Sequence, residues 1–134
     1  MTDDWLWQFR AYETLDGRKL AQDEYNALPP SHRAEIYALI LFLRKETGRP
    51  WAKTEFDALI GAGGIREIKV PNIRGPQGSL TYRLYGFFGP GQRQYTILHL
   101  ALKDRKNDKR GKRIAKERLD AINADQATTR AFDF

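Results

Sequence analysis

A chain of 134 residues, 41% hydrophobic and carrying three Trp, six Tyr and seven Phe, has room for one core and bulky material to fill it. It has no cysteine, which rules out a disulfide framework and a thiolate metal site, and two histidines far apart, His32 and His99, offer no zinc-ligand spacing. The formal charge is +6, all of it in one place: nine bases and three acids between Lys103 and Arg118 leave that segment at +6 and the rest of the chain neutral. Such a segment points to a polyanion partner, since a merely solvated helix face usually mixes signs.

The longest apolar run, Ile36 to Leu43, is far shorter than the about 20 residues a bilayer crossing needs. The acidic opening Met1-Thr-Asp-Asp lacks the basic region of a secretion signal, so a cytoplasmic protein with no membrane partner is expected.

In chain order, Trp5, Trp7 and Phe9 alternate with Leu6, Gln8 and Arg10 and predict a strand to about Glu13, closed by the Asp16-Gly17 turn. Leu20 to Leu28 predicts a short helix stopped by Pro29-Pro30. Ser31 then caps a longer one with Ile36, Leu39, Ile40 and Leu43 at helical spacing, ended by Gly48-Arg49-Pro50. Trp51 to Ile60 reads as a further short helix before Gly61-Ala-Gly-Gly64. The Trp residues at 5, 7 and 51 read as core.

Three strands follow, Ile65 to Val70, Tyr82 to Phe88 and Tyr95 to Leu102, the last two joined by Gly89-Pro90-Gly91 as a hairpin. The last helix, about Arg110 to Asp125, turns Ile114, Ala115, Leu119 and Ile122 inward and Lys109, Lys112, Arg113 and Lys116 outward. The expected fold is α+β: a small, mainly antiparallel sheet with the N-terminal helices on one side and a basic C-terminal helix. The helices are expected to leave the other sheet face open. The domain is expected over residues 1–122, with 123–134 as a polar C-terminal tail.

Neither a Ser-His-Asp order nor a phosphate-cradling GxxxxGK is present, and Gly61 to Gly64 precedes a strand rather than a helix. Arg83 is more informative, because on an interior strand it must find an anion or a carboxylate. It can pair with Glu67 on the neighbouring strand. Alternatively, it can meet a phosphate on an open sheet face, where a fixed positive charge stabilises a phosphorane-like transition state. His99 reads either as a satisfied core histidine or as a site residue. Lys103, Arg105 and Lys106 bring cations to the end of the last strand.

Several of these segments together resemble the RelE/HigB-type toxins, in particular the phage-derived HigB-like branch of the RelE/ParE superfamily. Leu28-Pro29-Pro30, Arg33, Ile36, Leu39 and Leu43 resemble its helix entry. Gly64-Ile-Arg-Glu-Ile-Lys69 resembles its Gly-Leu-Trp-Glu-Leu-Arg strand, and Tyr82-Arg83-x-Tyr85 matches part of its Tyr-Arg-x-x-Tyr/Phe strand. Tyr95 to Lys103, Lys106 and Ile114-Ala115-Lys116-x-Arg118-Leu119 resemble its last strand and helix.

The resemblance implies the toxin of a type II toxin–antitoxin pair, a ribosome-dependent mRNA interferase that needs no metal or cofactor. In that reaction the RNA 2′-hydroxyl attacks the neighbouring phosphate and translation stops. The implied partners are the ribosome, its mRNA and a small antitoxin, expected to be of helix-turn-helix type. By position, the resemblance makes Arg83, Lys103, Arg105, Lys106 and His99 catalytic, and Lys69, Tyr85, Lys109, Arg110, Lys112 and Arg113 RNA-binding. Leu102, Asp108 and Gly111 depart from the branch, which commonly has a Lys, a Pro and, in some members, a tyrosine there, so no general base is assigned. Two other readings fit the same features: a ParE-like gyrase-inhibiting toxin, and a non-catalytic basic accessory protein that binds RNA or DNA.

Overall fold

The computed structural model describes residues 6–45, 56–58, 64–76, 78–103 and 108–134. The elements in chain order are β1 (Gln8–Thr14), α1 (Leu20–Asn26), α2 (Pro30–Arg44), β2 (Phe56–Ala58), β3 (Arg66–Gly75), β4 (Gly78–Phe88), β5 (Gln94–Lys103), α3 (Lys109–Asn123) and β6 (Ala127–Ala131). The fold is α+β, with one six-stranded sheet in the order β2-β3-β4-β5-β1-β6. Every neighbouring pair is antiparallel except β1 and β5.

Several elements differ from the sequence expectation. Within Trp51 to Ile60, expected to be helical, Phe56–Ala58 is instead an edge strand paired with β3, and the rest of that stretch lies outside the described residues. A short apolar run reads equally well as helix or strand, and β3 has an outer row of backbone groups to satisfy. β3 also runs on through Pro71 to Gly75. Proline is tolerated in this strand because it falls where the register slips between Val70 and Ile73, with Asn72 at φ 63. α2 starts two residues earlier than a Ser31 cap would give. Pro30 takes its first position, where the missing N–H is not needed, and Ser31 lies inside the helix and does not cap it.

One sheet face carries Ile68, Val70, Tyr82, Leu84 and Leu100, which join Ile36, Ile40 and Leu43 of α2 in a single buried cluster. Each such side chain stabilises the fold by about 1.5–3 kcal/mol through its burial. His32 fastens this packing: Nδ1 lies 2.8 Å from the Tyr82 hydroxyl and Nε2 3.1 Å from the Arg74 carbonyl. Its role is structural.

The residues expected as a polar tail complete the sheet. β6 pairs with β1 along its whole length, and the Phe132 amide donates to the Phe9 carbonyl at 3.0 Å. Phe132 stacks on Phe134 at 4.2 Å, and both rings meet Tyr25 of α1 edge-on. Gln22 brackets Asp133, donating to its carbonyl at 2.6 Å and accepting from its amide at 2.8 Å. The domain therefore extends to Phe134. Polar composition hid this, because two phenylalanines and one glutamine do the docking.

β1 runs beside β5 only from Gln94 to Ile97. Beyond that point two side chains replace the missing strand. Arg118 of α3 donates to the Leu98 carbonyl at 2.8 Å, and Glu24 of α1 accepts from the Leu100 amide at 3.0 Å. Among the described residues, no helix is long and apolar enough to cross a membrane.

Candidate nucleic-acid interface

Residues directly opposite in a ladder share a face. Lys69, Arg83 and Ala101 form one such row, and Glu67, Tyr85 and His99 form the next. The strand pattern of the sequence therefore brings Lys69, Arg83, Tyr85 and His99 onto one face. Their environment is the unexpected part. This face is not open: α3 packs against β4 and β5 here, and Arg83, Tyr85 and Glu67 are buried.

Burial commits Arg83 to internal partners. Its Nη1 lies 3.6 Å from Glu67 Oε2 and donates to the Tyr85 hydroxyl at 3.3 Å. The other Glu67 oxygen lies 3.7 Å from Lys69 Nζ, so one carboxylate serves two cations. Of the two destinations open to Arg83 in the sequence, the carboxylate on the neighbouring strand is the one it occupies. The Lys69 side chain reaches the rim and is 32% exposed, against 5% for Arg83.

Tyr85 passes the network on to the helix by donating to Asp108 Oδ2 at 2.9 Å, while Oδ1 of the same carboxylate accepts from the Gly111 amide. Asp108 is thus the N-cap of α3 and a sheet anchor at once. The two departures from the toxin branch, Asp108 and Gly111, are physically coupled. A Cβ on Gly111 would lie 2.1 Å from Asp108 Oδ2 and 2.8 Å from the Tyr85 ring, so the cap needs glycine three residues on. Burial pushes the Tyr85 phenol well above its ordinary value; the hydrogen bond from Arg83 pulls the other way, and Asp108 adds to the rise. A phenol held protonated in this way cannot take a proton from a 2′-hydroxyl at neutral pH.

His99 stacks parallel to Tyr85 with ring centroids 6.3 Å apart, and its Nδ1 lies 3.0 Å from Glu24 Oε1. The other Glu24 oxygen meets Arg118 at 3.0 Å, and the Arg118 guanidinium lies over the Tyr12 ring at 5.4 Å. Burial pushes the Glu24 carboxyl up. His99, the Leu100 amide and Arg118 together outweigh this and hold it below the ordinary 4.5. This is the geometry of a satisfied core histidine.

Among the described residues, the densest run of exposed positive charge lies on α3. Its buried stripe is Gly111, Ala115 and Leu119, which leaves Lys109, Arg110, Arg113 and Lys116 exposed and Lys112 half-buried. Lys109, Arg113, Lys116, Asp120 and Asn123 recur every three or four residues and so form one outward row. Within it, Lys116 pairs with Asp120 at 3.3 Å. Lys103 ends β5 opposite Thr81, while Arg105 and Lys106 lie outside the described residues.

Sequence reasoning missed Glu24, Asp108 and Arg118. Asp108 could have been found, since an aspartate directly before an amphipathic run is a helix-start signal. The role of Glu24, formed across 75 residues of sequence with His99, has no local signal. No protein-family model and no curated protein matches this chain.

The arrangement can grip phosphate along α3 and at the Lys69 rim. Arg83 is poorly placed to neutralise a substrate charge, because Glu67 already takes up its own.

Proposed function

We propose that this protein is an RNA-directed inhibitor of translation of the RelE/HigB toxin type, which grips ribosome-held mRNA through the outer face of α3. The observation that carries this is the exposed row of Lys109, Arg113 and Lys116, flanked by Arg110, on the helix that holds most of the charged segment. Cations spaced along one helix face attract a phosphate backbone whatever its sequence, and releasing counterions from the RNA supplies the binding energy. The α+β layout, with α2 packed on one sheet face and this helix on the other, supports the same reading. The partners implied are the ribosome, its mRNA and an antitoxin that silences the protein.

For cleavage by 2′-hydroxyl attack, the fixed cations would come from Lys69 at the rim and, as the resemblance implies, from Lys103, Arg105 and Lys106. A second reading, tight RNA binding without cleavage, is favoured by one specific observation: the ion pair of Arg83 with buried Glu67.

One experiment separates these outcomes. Purified protein is added to a cell-free translation reaction and RNA 5′ ends are mapped. Arrest with new 5′-hydroxyl ends inside ribosome-protected codons supports the nuclease. Arrest with intact mRNA supports the binder. Undisturbed translation at micromolar protein removes both. In growing cells, loss of DNA synthesis with mRNA left intact would point to gyrase instead.

A further inference from the structure

The outward row on α3 does not stop at its last cation. Lys109, Arg113 and Lys116 lead on through Asp120 to Asn123, and at about 1.5 Å per residue the step from Lys116 to Asn123 is roughly 10 Å. Asn123 stands on the rim of a cleft at the end of the sheet, of about 280 Å³, lined by Gly64, Arg66, Phe87, Phe88, Leu119 and Asn123. Phe88 is 38% exposed, unusually open for so large an apolar side chain, and Phe87 and Arg66 are half-buried. The two phenylalanines end β4 and leave opposite sheet faces: Phe87 lies on the α3 side, while Phe88 packs on Trp7 at 5.3 Å and Tyr95 at 5.4 Å.

The cleft is slightly smaller than the roughly 300–1,000 Å³ of sites for drug-sized ligands, which suits a single flat ring system. It offers such a ring aromatic and aliphatic walls, an amide able both to donate and to accept at the ring edge, and one guanidinium. A polyanion that couples a flat, apolar, hydrogen-bonding group to every phosphate is a nucleic acid. When single-stranded, it leaves those groups free to swing out and stack.

We propose that this cleft is a nucleobase subsite. It takes one unstacked base of a single-stranded RNA whose phosphates lie along Lys109, Arg113 and Lys116. Phe87 provides the stacking surface, Asn123 meets the base edge, and Arg66 contacts the phosphate or a base carbonyl. The inference rests on the RNA-gripping role of α3 and adds the part of the ligand that phosphate contacts cannot discriminate.

The test compares dissociation constants of the full chain for an eight-nucleotide single-stranded RNA and for the same-length strand with every base removed. The intact strand is expected to bind about tenfold tighter, the size of one base stack. Asn123→Ala and Phe87→Leu are each expected to shrink that ratio at least threefold while leaving the affinity for the abasic strand unchanged. Equal affinities for both strands in the unaltered protein overturn the subsite even if a variant misfolds, and leave the grip of α3 standing. Failure of both strands to bind removes the α3 reading together with the subsite.

Discussion

Gly111 shows how one residue sets the start of the charged helix. The Asp108 carboxylate fits between the Gly111 amide and the Tyr85 hydroxyl only because no side chain fills position 111. Gly111→Ala should therefore cost about 1–3 kcal/mol, the usual range for overpacking a filled site, read as a lower urea midpoint at unchanged slope. Glu24 offers a second test at this scale. Its folded-state carboxyl titrates below the ordinary 4.5, so its contribution is fully present above that pH and is lost as pH falls through the lower folded value. His99, Arg118 and the Leu100 amide are the groups that face it. Glu24→Gln should leave a flatter loss of stability between pH 5 and 3 than the unaltered protein shows, measured by thermal unfolding across that range.

At the scale of elements, α3 has two faces with separate tasks. Gly111, Ala115 and Leu119 seat it on the sheet, while Lys109, Arg113 and Lys116 are exposed and contribute little to folding. Replacing those three with Gln should leave the unfolding midpoint nearly unchanged. It should reduce the salt dependence of RNA affinity by about two in the log–log slope, at about 0.7 per phosphate contact to a single strand. Affinity measured from 50 to 300 mM salt checks this. A variant whose salt slope matches the unaltered protein would place the contact surface elsewhere. Lys116 should count for less than the other two, because Asp120 already shares its charge.

Across the whole molecule, the first and last strands are packed together. β1 lies between β5 and β6, and Phe132 and Phe134 pack with Phe9, Tyr25 and Tyr37. Loss of one terminal ring should therefore weaken the entire core rather than fray a tail. Phe132→Ala is expected to cost about 3 kcal/mol, as aromatic-to-alanine changes in cores do. Tryptophan fluorescence and far-ultraviolet circular dichroism should shift together to lower urea, since a single small domain unfolds in one step. If the helix signal kept its midpoint while the fluorescence moved, the ends would form a separate unit.

Much of this architecture is legible from local periodicity. The apolar spacing of α2, the alternation of β4 and β5 and the one-sided charge of α3 all follow from how side chains point along a helix or strand, and no tertiary information is needed for that. The same alternation places Arg83 and Tyr85 on one face. Only the folded sheet decided what that face meets, because whether Arg83 ends at Glu67 or at an open surface depends on strand register and on where α3 settles. The strand role of 56–58, the docking of the last eight residues and the bridging of Leu98 and Leu100 by Arg118 and Glu24 were hidden for the same reason. In each case the deciding partner lies far along the chain, and backbone groups left over by one pairing were satisfied by whatever the tertiary fold brought beside them.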